Sequence, residues 1–400
     1  MQPVVGRDNV MPINRMLIEY SSRLQVANFF ILFTKRFADT KSVKILLKPS
    51  EIAIHFDGDK VLLDLTEHFQ LETCSLSLLN IAGDSVSFRL NTNNENNFRF
   101  EYLSLNNNES STDVLRLKIN VKPDKDFQII CSNCTCPLTT MVNYQRILEL
   151  PSENLDLSEW FCHKHHSTSD TSSSDHPINA KEKFNFAKFN PRDTDLLFGQ
   201  FFFLFNTNRL TNIKTKNNFV HCRRCLNFLG ETVRDSTIKI WDENIKIQSE
   251  SGAQPMFDGS SMFKNFYFII RKNVQDFDFM SSAGLPSTNK ILFETKESDG
   301  STNYLLLQIM NKNLELFTVS GFANGMVSLQ KLAGMKVFYR IESDETRPMV
   351  KFWQNDVGCS NIQISRKMFT VAVDTLNEYS NFVPVAYRNM GGFTVSYLHI

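Results

Sequence analysis

Val43-Lys44-Ile45-Leu46-Leu47-Lys48, Glu51-Ile52-Ala53-Ile54-His55-Phe56 and Lys60-Val61-Leu62-Leu63-Asp64-Leu65 follow one another with little more than Pro49 and Gly58-Asp59 between them. Each run is too short for a helix, is apolar and often β-branched, and is bounded by turn-forming residues, so the stretch spells consecutive antiparallel strands. Downstream, residues 85–90 and 98–103 repeat the pattern on either side of the asparagine-rich residues 91–97, and residues 115–121 alternate. Residues 43–130 therefore read as an antiparallel sandwich or open barrel, within a β-rich domain of residues 1–130. Upstream, Phe29 to Phe33 is the only compact apolar run. His55 and His68 have no partner at ligand spacing and read as strand or edge residues.

Beyond residue 130 the cysteines organise the chain. Cys131-Ser132-Asn133-Cys134 and Cys222-Arg223-Arg224-Cys225 are two C-x-x-C knuckles separated by a long insertion. Each short turn places two sulfurs on one side of a tetrahedron, so two knuckles supply the four thiolates of a structural zinc site. Cys136 is an alternative ligand, and a rival set joins Cys131 and Cys134 to Cys162 and His163. The four-cysteine set is preferred because it leaves no orphan pair. A redox role is disfavoured, since neither pair opens an evident helix. A module of residues 131–248 follows, its insertion carrying Trp160-Phe161-Cys162-His163 ahead of the Ser/Thr/Asp-rich residues 167–175. There Cys162 is either a buried thiol beside aromatic rings or an exposed one available to a metal or an electrophile.

Within this module Phe201 to Phe205 is dense enough to be a central strand buried on both faces. Residues 249–259 concentrate glycine, proline and serine and mark a boundary. Residues 262–278 form a helix, or a helix joined to an aromatic strand. Strands follow at 290–294, 303–310, 314–320 and 335–341, the second and third separated by Asn311-Lys312-Asn313. Residues 370–378 have helical period, and Gly391-Gly392 leads into a last strand, 393–399. Residues 260–400 thus read as a separate α+β domain, and the chain as α+β, mostly β.

Lys plus Arg and Asp plus Glu are equal at 43 each, which favours neither a nucleic-acid nor a membrane surface. Arg209, Lys214, Lys216, Arg223 and Arg224 give a local basic character, yet no interleaved aromatic platform is evident in the linear sequence, so direct nucleic-acid binding is disfavoured. The 35 phenylalanines imply aromatic-filled cores or an apolar interface. Eight cysteines in mostly metal-like spacing suit a reducing compartment. With no signal-peptide pattern and no membrane-length apolar run, the expectation is a soluble protein of the cytoplasm or nucleus.

Four motifs carry a resemblance: Cys131-Ser-Asn-Cys134, Leu148-Glu-Leu-Pro-Ser-Glu-Asn154, Glu159-Trp-Phe-Cys-His163 and His221-Cys-Arg-Arg-Cys-Leu-Asn-Phe-Leu-Gly-Glu231. They stand in the order found in the HECT-like, conjugating-enzyme-binding family of ubiquitin-protein ligases, type D, which this chain resembles over roughly residues 125–240 and more loosely at its C-terminal end. The resemblance implies two activities. One is ubiquitin transfer from a conjugating enzyme, with the region of the second knuckle implicated in binding that enzyme. The other is association with the metallo-β-lactamase-fold, zinc-dependent endonuclease of the pre-mRNA cleavage and polyadenylation machinery, which the protein would inhibit. In that role Cys162 would reach the partner's metal, positioned by Glu153, Trp160, Phe161 and His163. No cysteine follows Cys359, so a covalent transfer of the HECT kind would fall to Cys359, and scaffolding of a charged conjugating enzyme is the alternative. The leading expectation is an endonuclease-inhibiting member of the ligase family. An active transferase without an endonuclease role comes second, and an RNA-binding zinc module third.

Overall fold

The structure, a computed structural model, describes residues 11–93, 117–150, 190–234, 236–249, 252–257, 261–282, 289–297, 300–356 and 358–399. Three sheets and a few helices make up these residues, in keeping with a mostly β, α+β chain.

The first eight strands are β1 (Ile13–Ser21), β2 (Val26–Phe33), β3 (Lys44–Lys48), β4 (Glu51–Phe56), β5 (Asp59–Asp64), β6 (Gln70–Leu71), β7 (Ser77–Ala82) and β8 (Ser85–Asn93). The quoted runs become the β3-β4-β5 meander. Its second turn centres on Asp57 and Gly58 at φ 44° and 83°, the left-handed pair that a two-residue hairpin needs. β1 escapes a sequence reading because five consecutive residues, Met16 to Tyr20, are buried, which erases alternation. Residues 117–121 form no strand: Ile119 makes one isolated bridge to Phe257. The expected strand at 98–103 lies outside the described residues.

The middle segment supplies β9 (Gln128–Cys131), β10 (Arg146–Glu149), β11 (Asp195–Gly199), β12 (Phe202–Asn206), β13 (Ile213–Lys216), β14 (Phe219–Cys222), β15 (Phe228–Arg234), β16 (Thr237–Trp241), β17 (Ile245–Ser249) and β18 (Gly252–Pro255). Seven of them form a sheet in the order β10-β11-β12-β16-β15-β14-β13, and β18-β17-β9 form a small one. The apolar run around Phe201 to Phe205 is the expected central strand, β12, paired on both sides and with Phe202 to Phe205 all buried. Leu197 pairs with Leu204 across a tight turn in which Phe201 takes φ 63°, so the run is mostly one arm of a hairpin. The Gly/Pro/Ser-rich residues 249–259 likewise include β18, hairpinned onto β17, where an interdomain boundary was expected.

The last segment comprises α1 (Met262–Ser282), β19 (Lys290–Lys296), β20 (Thr302–Ala323), β21 (Met326–Glu342), α2 (Pro348–Asn355), β22 (Cys359–Gln363), α3 (Arg366–Ser380), α4 (Val385–Arg388), β23 (Asn389–Met390) and β24 (Phe393–His399). Asn311-Lys312-Asn313 does not divide two strands. It sits in register shifts of the long β20, between Ile309 and Leu314, and such bulges bend a strand without ending it.

That long hairpin corrects the picture of a separate C-terminal domain. β20 pairs with β1, and β21 pairs in parallel with β5, so the first and last segments share one sheet running β3-β4-β5-β21-β20-β1-β2-β8-β6. Phe317 and Val327 of the hairpin enter the N-terminal core beside Phe29, Phe33, Phe56 and Phe88. Leu305, Leu307 and Ile309, on the other side of the bulges, enter a second core with Phe203, Phe266, Phe293 and Met368. Where the two segments meet, Glu19 Oε2 accepts hydrogen bonds from Tyr397 Oη at 2.7 Å and Lys336 Nζ at 2.9 Å. A nearly buried carboxylate is held by partners contributed from the far end of the chain.

Candidate metal centre

The second core contains the two knuckles. Cys131 and Cys222 are both fully buried in it, Cys134 and Cys225 partly so. β9 delivers Cys131 and β14 delivers Cys222, each as the last residue of its strand. The chain then turns identically at both places. Thr135 N–H donates to Cys131 C=O and Leu226 N–H to Cys222 C=O, each at 2.9 Å. Cys131 N–H donates to Cys136 C=O and Cys222 N–H to Asn227 C=O, again at 2.9 Å. The residue after each second cysteine, Thr135 or Leu226, is left-handed at φ 57° and 58°. Neither is glycine, so each turn accepts a conformation costly for its side chain. The backbone N–H groups left pointing at the sulfurs are those that a metal-bound thiolate uses.

All four sulfurs lie within 4.8 Å of one another. Two cross-knuckle pairs are closer, Cys131 to Cys225 at 3.7 Å and Cys134 to Cys222 at 3.6 Å. A Zn–S bond of about 2.3 Å puts tetrahedral sulfurs about 3.8 Å apart, so the cluster fits zinc without rearrangement. Its electrostatics agree. Burial raises the Cys131 thiol and pushes that of Cys134 up to about 12. At Cys225 burial also acts upward, but hydrogen bonds from the Asn133 side chain, Asn227 N–H and neighbouring sulfurs outweigh it, bringing the thiol to about 6. A divalent cation at the centre would offset the charge of the thiolates that burial disfavours. The chain therefore has a structural metal site of the zinc type.

Cys136 stays outside the ligand group; its buried sulfur contacts Pro137 C=O at 3.8 Å. His55 and His68 are not in it either, and His68 packs its ring on Phe317 at 4.8 Å. Glu153, Trp160, Phe161, Cys162 and His163 lie outside the described residues. Cys359, the residue to which a covalent transfer would fall, opens β22, where it is 8% exposed and pairs with Lys290 of β19. The linear reading missed one arrangement entirely. β13 and β14 are joined by a two-residue turn, Asn217-Asn218, both left-handed at φ 49° and 67°. The resulting register brings Phe219, His221 and Phe228 together beside Lys214 and Lys216. Asn-Asn between two alternating runs is the signal that could have found it.

Among the described residues no helix is long and apolar enough to cross a membrane. No solved structure matches the chain. The chain is 25% identical to the mouse E3 ubiquitin-protein ligase of type D across 63% of its own length and 66% of that protein's. It is 22% identical to the human ligase of the same type across 67% and 71%, and 24% identical to the bovine one across 96% and 97%. The matched part thus spans just under two thirds of the mouse relative. Residues 19–395 match the profile described as HECT-like ubiquitin-conjugating enzyme (E2)-binding. That match takes in most of the shared sheet and of both cores, and the whole cysteine cluster, and the chain belongs to this HECT-like, E2-binding family.

Proposed function

We propose that the protein is a ubiquitin-protein ligase that acts on a charged ubiquitin-conjugating enzyme, with the zinc module as a rigid part of the docking body. The observation that carries this reading is the E2-binding family match across residues 19–395, which includes all four metal-ligating cysteines. Burial of Cys359 favours scaffolding over a covalent relay, because a thioester-forming cysteine has to present an accessible thiolate. In the scaffolding route a substrate lysine amine attacks the thioester carbonyl on the conjugating enzyme, whose cysteine leaves as thiolate. The protein orients the two reactants. Reduced thiols at a four-cysteine site suit the cytoplasm or nucleus as the place of action.

Single-turnover discharge of ubiquitin from a charged conjugating enzyme tests this. Discharge is expected to accelerate with the wild type, to survive Cys359→Ala and to fail in Cys222→Ser. A reductant-sensitive ubiquitin adduct that Cys359→Ala abolishes would replace scaffolding by covalent transfer. No acceleration by the wild type with any of a panel of conjugating enzymes would remove the ligase reading.

A second role rests on the Trp160-Phe161-Cys162-His163 motif and its family resemblance: inhibition of the metallo-β-lactamase-fold endonuclease of pre-mRNA 3′-end processing. A thiolate is a strong zinc ligand and would occupy the position at which hydroxide forms for phosphodiester cleavage. Cys162→Ala is expected to abolish inhibition in a cleavage assay while zinc content stays at one per chain. Full inhibition by that variant would sink this role and leave the ligase reading intact.

A further inference from the structure

The hairpin that carries the second knuckle has two faces of opposite chemistry. Val220 and Cys222 are fully buried, so alternation along β14 sends Phe219 and His221 to the other face. On β13 Lys216 stands directly opposite Phe219 and Lys214 opposite His221. On β15 Phe228 stands opposite His221. Directly opposed residues of antiparallel strands share a face, and here the rings touch: Phe228 lies 5.9 Å from Phe219 and 5.8 Å from His221, both edge to face. Three half-buried rings thus form a short strip with two exposed lysines along its open side, since β13 ends the sheet. The knuckle at the end of β14 adds the exposed Arg223 and Arg224.

The charge on this strip is one-sided. From residue 210 to residue 230 there are four Lys or Arg and no Asp or Glu, in a chain whose net charge is zero. One carboxylate shares the face, Glu231 of β15, which stands opposite Phe219, and its two oxygens are engaged by Lys296 Nζ at 2.8 Å and Gln363 Nε2 at 2.7 Å. Lysines on an edge strand are explained by protection against strand addition. That leaves the rings, on the face turned away from the second core: Phe228 packs one side against the small cluster of Leu150, Leu197, Phe202, Leu204 and Trp241, and Phe219 and His221 carry that aromatic surface outward to the lysines. An acidic protein surface would use the cations and not the rings, and a duplex conceals its bases. A flexible polyanion that displays planar bases uses both.

We propose that this face binds single-stranded nucleic acid, with bases against Phe219, His221 and Phe228 and phosphates against Lys214, Lys216 and the knuckle arginines. Stacking tolerates any base, so the site reads strandedness and charge more than sequence.

The test is fluorescence anisotropy of the full, zinc-loaded chain with labelled oligo-uridylate and oligo-thymidylate of about 12 nucleotides. Binding is expected at about 50 mM salt and should weaken markedly by about 200 mM. Lys214→Ala/Lys216→Ala should weaken binding roughly tenfold and reduce the salt slope by about 1.4, from about 0.7 for each lost phosphate contact. Phe228→Leu should weaken binding about fivefold or more, with zinc content unchanged. Equal binding of both oligonucleotides supports the proposal as stated, and a preference for RNA supports it with the 2′-hydroxyl added to the contacts. It is overturned if the wild type binds neither more tightly than about 100 µM. It is also overturned if the lysine variant binds as well as the wild type, or if a polyglutamate peptide competes as effectively as unlabelled oligonucleotide. The two lysines are exposed, so their replacement leaves folding intact and keeps the result readable. Ubiquitin discharge by the same variants separates this site from the ligase reading: lost discharge with unchanged oligonucleotide binding would assign the strip to the conjugating enzyme.

Discussion

The two knuckles share a backbone and differ in what they touch. At the first, Ser132 is tied into the protein: its N–H donates to Asn244 C=O at 3.0 Å and its hydroxyl to Glu243 C=O at 2.9 Å. Asn244 in turn is nearly buried, its side-chain amide donating to Leu229 C=O and its oxygen accepting from Lys367 of α3. At the second, Arg223 N–H donates to Asn212 C=O at 2.7 Å, but both arginine side chains are exposed and so is Leu226. Among the described residues, Arg224 reaches the carbonyl of Cys134, at 3.4 Å. The metal thus joins an anchor to a presenter. One knuckle fastens the centre to the C-terminal helices, and the other holds a cationic, ring-bearing hairpin out to solvent.

The widest test of this comparison is removal of the ligands themselves. Cys131→Ser and Cys222→Ser should each drop zinc below one per chain. Each should cost several kcal/mol, within the roughly 10–16 kcal/mol that structural zinc supplies in small modules. Both cysteines sit in the same core, so equal losses by denaturant titration with zinc analysis are expected. A Cys222→Ser protein that keeps its metal would break the equivalence of the knuckles.

Next comes the strand that leaves the presenter. A Cβ at Gly230 would meet Lys239 C=O at 1.9 Å and Ile240 Cα at 2.9 Å, both backbone atoms that cannot rotate aside. Gly230→Ala should therefore cost about 2–3 kcal/mol. A cost below half of that would mean that β15 yields easily and the presenter is less rigid than its register implies.

On the anchor side, Asp242 begins the turn that holds Ser132. Burial, with help from Glu243, raises its carboxyl to about 7, and its Oδ1 has no hydrogen-bond partner. The unfolded value is about 3.9, so the folded protein holds the proton more tightly between those limits. Stability from this group is full at low pH and is lost as pH rises towards about 7, after which the curve is level. Asp242→Asn should gain about 1–2 kcal/mol at pH ~8 and little at pH ~4.5. Chemical denaturation at the two pH values checks the sign; an equal change at both would show that ionisation is not what matters there.

The smallest effect is also the most direct comparison. Ser132→Ala should cost about 1 kcal/mol for a lost side-chain hydrogen bond. Arg223→Ala should change stability by less than about 0.5 kcal/mol. A costly Arg223→Ala in a thermal melt would make the second knuckle an anchor too.

The metal centre was legible because its chemistry is local. C-x-x-C fixes two sulfurs within one turn, and two such turns complete a tetrahedron whatever lies between them. Strands β3 to β5 were equally legible, since their short apolar runs and the glycine between the last two need no distant partner, although the turn falls at Asp57-Gly58, one residue before the Gly58-Asp59 read from the sequence. Opaque were the features whose determinants lie far apart. Nothing near β1 announces its pairing with β20, nor near β5 its parallel pairing with β21. The aromatic strip appears only when the register places Phe228 beside Phe219 and His221, residues that in sequence look scattered among Asn, Cys and Arg.

By itself, then, the amino-acid sequence determined the ligand set, much of the turn chemistry, the helical segment α3 and the family motifs, because each is written within a few residues, and it left α1 as a helix or a helix joined to a strand. Tertiary structure alone decided that the two ends of the chain share a sheet, that Cys359 is buried within it, and that a neutral chain carries one cationic, ring-lined edge. Strand partners and burial depend on which distant surfaces meet. Local propensity constrains that choice only weakly, and packing settles it.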